Sequence, residues 1–141
     1  MYLDILTDIQ DFFNNHNQVS EYAFGNVPEI STVERTYPLL FLQSVSSPVN
    51  EYEIKYHFNL YSLTLYEQDT ENLINGLNDT HLILKDFISH FNNNYNDMYW
   101  LDTETLTLEV ITGEFDSYLV GWQLNFNFIQ ELSYDSCNIP I

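Results

Sequence analysis

A chain of 141 residues falls within the size of one domain and is long enough to bury a core. Its hydrophobic share of 45%, with 11 Tyr, 10 Phe and 2 Trp, excludes intrinsic disorder, which needs low hydrophobicity together with high charge. Three basic residues (Arg35, Lys55 and Lys85) against 21 acidic ones leave a net charge of −18, which argues against phosphate-contacting nucleic-acid binders and against anionic membrane surfaces.

Such an acid surplus serves solubility, keeps DNA from sticking, or imitates DNA. A single cysteine, Cys137, excludes an internal disulfide framework and a Cys-based zinc cluster. The opening "MYLDILTDIQDFF" has no basic n-region and no unbroken apolar core, so it does not read as a signal peptide. No apolar run approaches the ~20 residues that cross a bilayer. The expectation is a protein made in a reducing cytoplasm and with no membrane partner.

Along the chain, Ile5, Leu6, Ile9, Phe12 and Phe13 recur at helical spacing and predict an amphipathic helix, closed by "NNHNQ". "VSEYAFGNVPEISTV" reads as short strands bent at Gly25 and Pro28. "YPLLFLQS" reads as a buried strand with Pro38 at its start, and "SSPVN" as a loop. "NEYEIKYHFNLYSLTLYEQD" then predicts a strand of roughly 15 residues, far longer than the usual ~5–6. Tyr52, Ile54, Tyr56, Phe58 and Leu60 share one parity, whereas Tyr61, Leu63 and Leu65 share the other. A β-bulge near Leu60–Tyr61 would produce that swap.

A second helix is expected from about Thr70 to Asn92, capped by Asp69 or Thr70, with Leu73, Ile74, Leu77, Leu84, Phe87, Ile88 and Phe91 on its apolar face. Gly76 inside it marks either a close contact or a solvent-exposed position; "NNNYND" closes the helix. "ETLTLEVIT" alternates through Leu106, Leu108 and Val110, and Gly113-Glu114 suits a hairpin turn. "SYLVGWQLNFNFIQEL" alternates through Tyr118, Val120, Trp122, Leu124, Phe126 and Phe128, a second overlong strand of about 40 Å. The sum is one α+β domain over 1–141, two helices packed on a mostly antiparallel sheet with long β-hairpin arms.

No catalytic motif emerges. The four glycines are scattered singly, so no phosphate-cradling loop exists. His16, His57, His81 and His90 lack the spacing of a helical metal pair, and neither "LDTETLTLE" nor "YEQDTEN" carries the calcium-loop pattern. The expectation is a non-enzyme without metal or cofactor. The tyrosine excess is either sheet filler or interface material. A sheet this extended outruns two helices of ordinary length, so a partner is expected to cover part of it.

The order of features resembles a known family. A leading helix, a Tyr37-Pro38-Leu39-Leu40 strand, a long hairpin, a central helix and a closing hairpin follow one another. The last strand carries Asp116 and then Gly121-Trp122, and the chain closes on Cys137-x-Ile139-Pro140. This is similar to tail-terminator and head–tail connector (neck ring) proteins of tailed bacteriophages, including ring proteins of the crAss-like group. The resemblance implies a homo-oligomeric ring, hexameric or dodecameric, located in the virion neck or tail and made in the host bacterial cytoplasm. Its neighbours would be portal, connector or tail proteins, and DNA would pass through without specific binding. It also implies subunit contacts on residues 50 to 66 and nearby strand edges. The interface candidates are Glu53, Lys55, Tyr56, His57, Tyr61 and Trp122, with Tyr52 beside them. An alternative of another class is an acidic DNA mimic that inhibits a host DNA-binding protein, although "DTENLINGLNDTHLILKDFISHF" carries few acids for its length.

Overall fold

The 3.6-residue apolar period at the start of the chain becomes α1 (Tyr2–Asn14), which buries Ile5, Ile9 and Phe13. In the computed structural model, which describes residues 1–31, 33–67, 69–93, 98–113 and 118–132, seven further named elements come before the last described strand. They are β1 (Glu21–Phe24), a short 3₁₀ helix (Val27–Ile30), β2 (Leu39–Ser46), β3 (Glu53–Leu65), α2 (Thr70–Asn93), β4 (Trp100–Leu101) and β5 (Thr107–Thr112). The last described strand is β6 (Leu119–Glu131). The expected features at Glu114, Asp116 and Cys137, and most of "NNNYND", lie outside the described residues.

The strands form one sheet in the order β1-β2-β3-β6, and both β4 and β5 pair with the far edge of β6. Among the described strands, only the β1–β2 pair is parallel. The fold class is therefore the expected α+β, two helices on a mostly antiparallel sheet, with β2–β3 and β5–β6 as its hairpins. β3 and β6 pair along all of their length, from Glu53↔Glu131 to Leu65↔Leu119.

That unbroken register corrects the expectation of a bulge at Leu60–Tyr61. The register shift lies instead on β2, between Ser44 and Ser46. The apolar parity of β3 changes because cover changes. Its even residues Tyr56, Phe58 and Leu60 pack under both helices throughout, together with Leu124, Phe126 and Phe128 of β6. On the opposite face, Tyr61 and Leu63 join Ile30, Leu39, Phe41 and Ile111 in a second, smaller core. The chain between β1 and β2 supplies the cover there. Arg35 fastens it: Nη1 donates to Glu21 Oε2 (2.7 Å), Nη2 to the Glu29 carbonyl (2.9 Å), and its guanidinium lies 5.6 Å from the Phe41 ring centroid.

A second difference falls in this cover. Residues 27–30 form a 3₁₀ turn rather than a strand, because Asn26 and Glu29 make a reciprocal capping box and Pro28 opens the turn. A third concerns α2. Asp69 caps it as expected, accepting from the Asn72 amide at 2.8 Å. Its buried stripe, however, is Gly76, Thr80, Ile83, Leu84, Phe87 and Phe91, while Ile74 is exposed. Small residues let the first half of the helix sit close on the sheet. A Cβ at Gly76 would meet Val120 Cγ1 at 2.8 Å, and Ser62 Oγ donates to the Thr80 carbonyl at 3.0 Å.

Candidate functional site

Because the sheet alternates, the residues singled out on β3 divide between two environments. Tyr56 points into the helix-side core, donates from its hydroxyl to Gln130 Oε1 (2.8 Å) and lies 5.6 Å from the Tyr2 ring. Burial raises its phenol pKa. Tyr61 is buried in the second core. Trp122 lies under α2, where its indole N–H donates to the Leu77 carbonyl (2.9 Å) and its ring meets His81 edge-on. These three side chains are engaged by their own chain.

Glu53, Lys55 and His57 face the other way, half-exposed, at the end of the second face that the β1–β2 connection does not reach. Lys55 Nζ stands 3.8 Å from Glu53 Oε1. Beside them the open face is paved with amides: Asn59 donates to Gln43 Oε1, Gln123 to Asn125 Oδ1 (2.9 Å), and the buried Asn127 to Thr105 Oγ1 (2.9 Å). A shallow groove of about 340 Å³ runs over His57, Asn59, Asn125 and Asn127.

The ends of the β3–β6 pair carry exposed apolar side chains, about 40 Å apart at ~3.4 Å per residue. At one end Tyr52 is 70% and Val49 65% exposed. Asn50 Oδ1 accepts from the amides of Tyr52 and Glu53, and the Tyr52 carbonyl accepts from the Leu132 amide (2.7 Å), so a fixed turn presents the tyrosine. At the other end Leu65 and Tyr118 are each 56% exposed, around a hollow of about 380 Å³ that Tyr66 and Glu67 complete. The Tyr66 amide donates to the Tyr118 carbonyl there, at 2.9 Å. Sequence reasoning missed Tyr118 as a surface residue because the alternation of β6 reads straight through it; it stands one residue before the strand begins.

A separate cleft of about 510 Å³ opens between the C-terminal halves of α1 and α2, beside Tyr99. The Tyr99 hydroxyl donates to Asp8 Oδ2. Burial first, then that bond and the negative charge of Asp8 and Asp4, push the Tyr99 phenol well above its ordinary pKa, so it stays a donor at neutral pH. His16 Nε2 lies 2.9 Å from Asp86 Oδ2, and its Nδ1 accepts from the Gln18 amide (3.2 Å). Where Nδ1 accepts from that amide, Nε2 is the nitrogen that donates to Asp86. No three His, Cys, Asp or Glu side chains among the described residues are grouped to hold a metal ion. No helix among them is long and apolar enough to cross a membrane.

Compared with known protein families and with curated proteins, the chain matches no family model and no curated sequence.

Proposed function

We propose that the protein is a structural component of a phage neck or tail, a ring subunit of the tail-terminator or head–tail connector kind, that joins or ends the tail while DNA passes. The observation that carries this reading is the pair of unlike apolar patches at opposite ends of β3–β6: Tyr52 with Val49, and Leu65 with Tyr118. Two different patches on one subunit suit a head-to-tail contact, which closes into a ring when the rotation fits. The half-exposed Glu53, Lys55 and His57 flank the first patch and would set register across the contact. Tyr56, Tyr61 and Trp122 would support the contact from within, by holding the strand pair straight. In this role the protein performs no reaction and needs no cofactor. Its neighbours are further copies of itself and the portal, connector or tail proteins of the virion, after synthesis in the host cytoplasm. The net charge of −18 lets DNA slide past without adhesion.

The DNA-mimic alternative requires a regular row of surface carboxylates. On α2 the exposed acids Glu71, Asp79 and Asp86 are separated by exposed Ile74, Leu82 and Lys85, so the assembly reading is favoured.

Native mass spectrometry with negative-stain microscopy tests the proposal, with Mg²⁺ titrated to offset self-repulsion. Closed rings of one subunit count with a central hole are expected. A protein that stays monomeric at every Mg²⁺ concentration and also in the presence of portal and tail proteins, yet competes with DNA for basic proteins, contradicts it.

A further inference from the structure

We propose that the cleft between α1 and α2 binds an alkylammonium or guanidinium group. The inference is independent of ring formation, because α1, α2 and Tyr99 line the cleft and none of the patch residues Val49, Tyr52, Leu65 and Tyr118 does. Its floor is aromatic: Phe12 and Phe91 meet edge to face with centroids 6.0 Å apart, and His90 lies 4.7 Å from Phe12. Its polar wall is acidic. Asp8 is held in place by the Tyr99 hydroxyl, and Asp11 stands on the rim one helical turn further along. No lysine or arginine lines the cleft among the described residues.

Carboxylates beside aromatic faces attract a cation with an apolar stem, since the ring quadrupole and the carboxylate act on the same charge. An anion would meet Asp8 and Asp11 with no lysine or arginine among the described lining residues to offset them. A bare metal ion would find too few grouped ligands. A carboxylate has four acceptor positions, and the Tyr99 bond uses one of them, which leaves Asp8 able to receive the N–H donors of an entering group. The volume of about 510 Å³ accommodates a butylguanidinium-sized ligand. The shared chemistry has two sources: a free aliphatic amine, or a lysine or arginine side chain of a partner protein.

Amide-resolved NMR titration of the folded protein with agmatine, at constant ionic strength, tests this. Saturable shifts confined to α1, the C-terminal half of α2 and Tyr99 are expected. Asp8→Asn should weaken binding at least tenfold. Asp11→Asn, an exposed change that leaves the core untouched, should weaken it about threefold, and Glu109→Gln on β5 should leave it unchanged. A blocked Gly-Arg-Gly tripeptide distinguishes the sources: binding as tight as agmatine points to a partner's side chain, and binding of agmatine alone to a free amine. Shifts that fail to saturate with either probe, or that survive both aspartate changes, overturn the proposal.

Discussion

From Glu53 to Asn59, β3 buries one face; from Leu60 to Leu63 it buries both. The backbone does not change between these halves, and the pairing with β6 is continuous through them. What changes is the neighbour on the far side: open solvent beyond Lys55, His57 and Asn59, and the Arg35-fastened segment over Tyr61 and Leu63. An apolar parity switch along a strand therefore reports where a second cover begins as readily as it reports a bulge. The same contrast separates the functional candidates, since residues under a cover stabilise the subunit while residues beyond it remain available to other molecules.

Substitutions can break that comparison in order of size. Phe58→Ala, in the half with one cover, removes a ring stacked 5.5 Å from Phe126 and should cost about 3–5 kcal/mol in urea unfolding. Leu63→Ala, in the doubly covered half, should cost ~2–5 kcal/mol, a loss that an exposed position would not show. Arg35→Ala should cost about 1.5–3 kcal/mol, because a charged donor to Glu21 and to the Glu29 carbonyl is lost. Its signature is local: amide exchange should rise around Tyr61 and Leu63 and stay unchanged around Phe58.

The pH dependence of that fastening has a definite sign. Burial pulls the Glu21 carboxyl upward, but the Thr36 amide and the Arg35 guanidinium outweigh it and leave its pKa below the ordinary 4.5. A carboxyl with a depressed folded-state pKa contributes stability above its unfolded pKa and loses it as pH falls through the folded value. The native protein should thus exceed Glu21→Gln in stability above about pH 4.5, and the gap should close in more acid solution. The smallest effect belongs to the open half. His57→Thr should stay within about 0.5 kcal/mol of the parent by the same unfolding assay, since the side chain is half-exposed there.

The helices and long strands were legible because their periods run uninterrupted: α1 from Ile5 to Phe13, and β6 from Val120 to Phe128. The second cover was not legible, because it depends on Arg35 reaching Glu21 across 14 residues and on a 3₁₀ turn whose signal, Asn26-Val-Pro-Glu29, also fits a bend between strands. The true buried stripe of α2 was hidden for a different reason. Gly76 and Thr80 carry no apolar signal, yet their small size brings the helix onto Ser62 and Val120, which turns Ile74 outward. Of the interface candidates, sequence pattern placed Glu53, Lys55, Tyr56, His57 and Tyr61 together on one long strand, as the fold has them, but not which side chains their own chain consumes. Burial of Tyr56 and Tyr61 and exposure of Tyr52 follow from how the helices and the β1–β2 segment lie on the sheet, and periodicity alone carries no information about that.

Head-to-tail assembly through unlike strand ends is tested most directly by mixing Tyr52→Asp and Tyr118→Asp subunits and weighing the products by native mass spectrometry. Each variant lacks one patch and should be folded and monomeric alone. The equimolar mixture should yield a one-to-one heterodimer, joined by the intact Tyr118 end of the first and the intact Tyr52 end of the second. Homodimers of either variant, or rings that persist in both, would contradict the account.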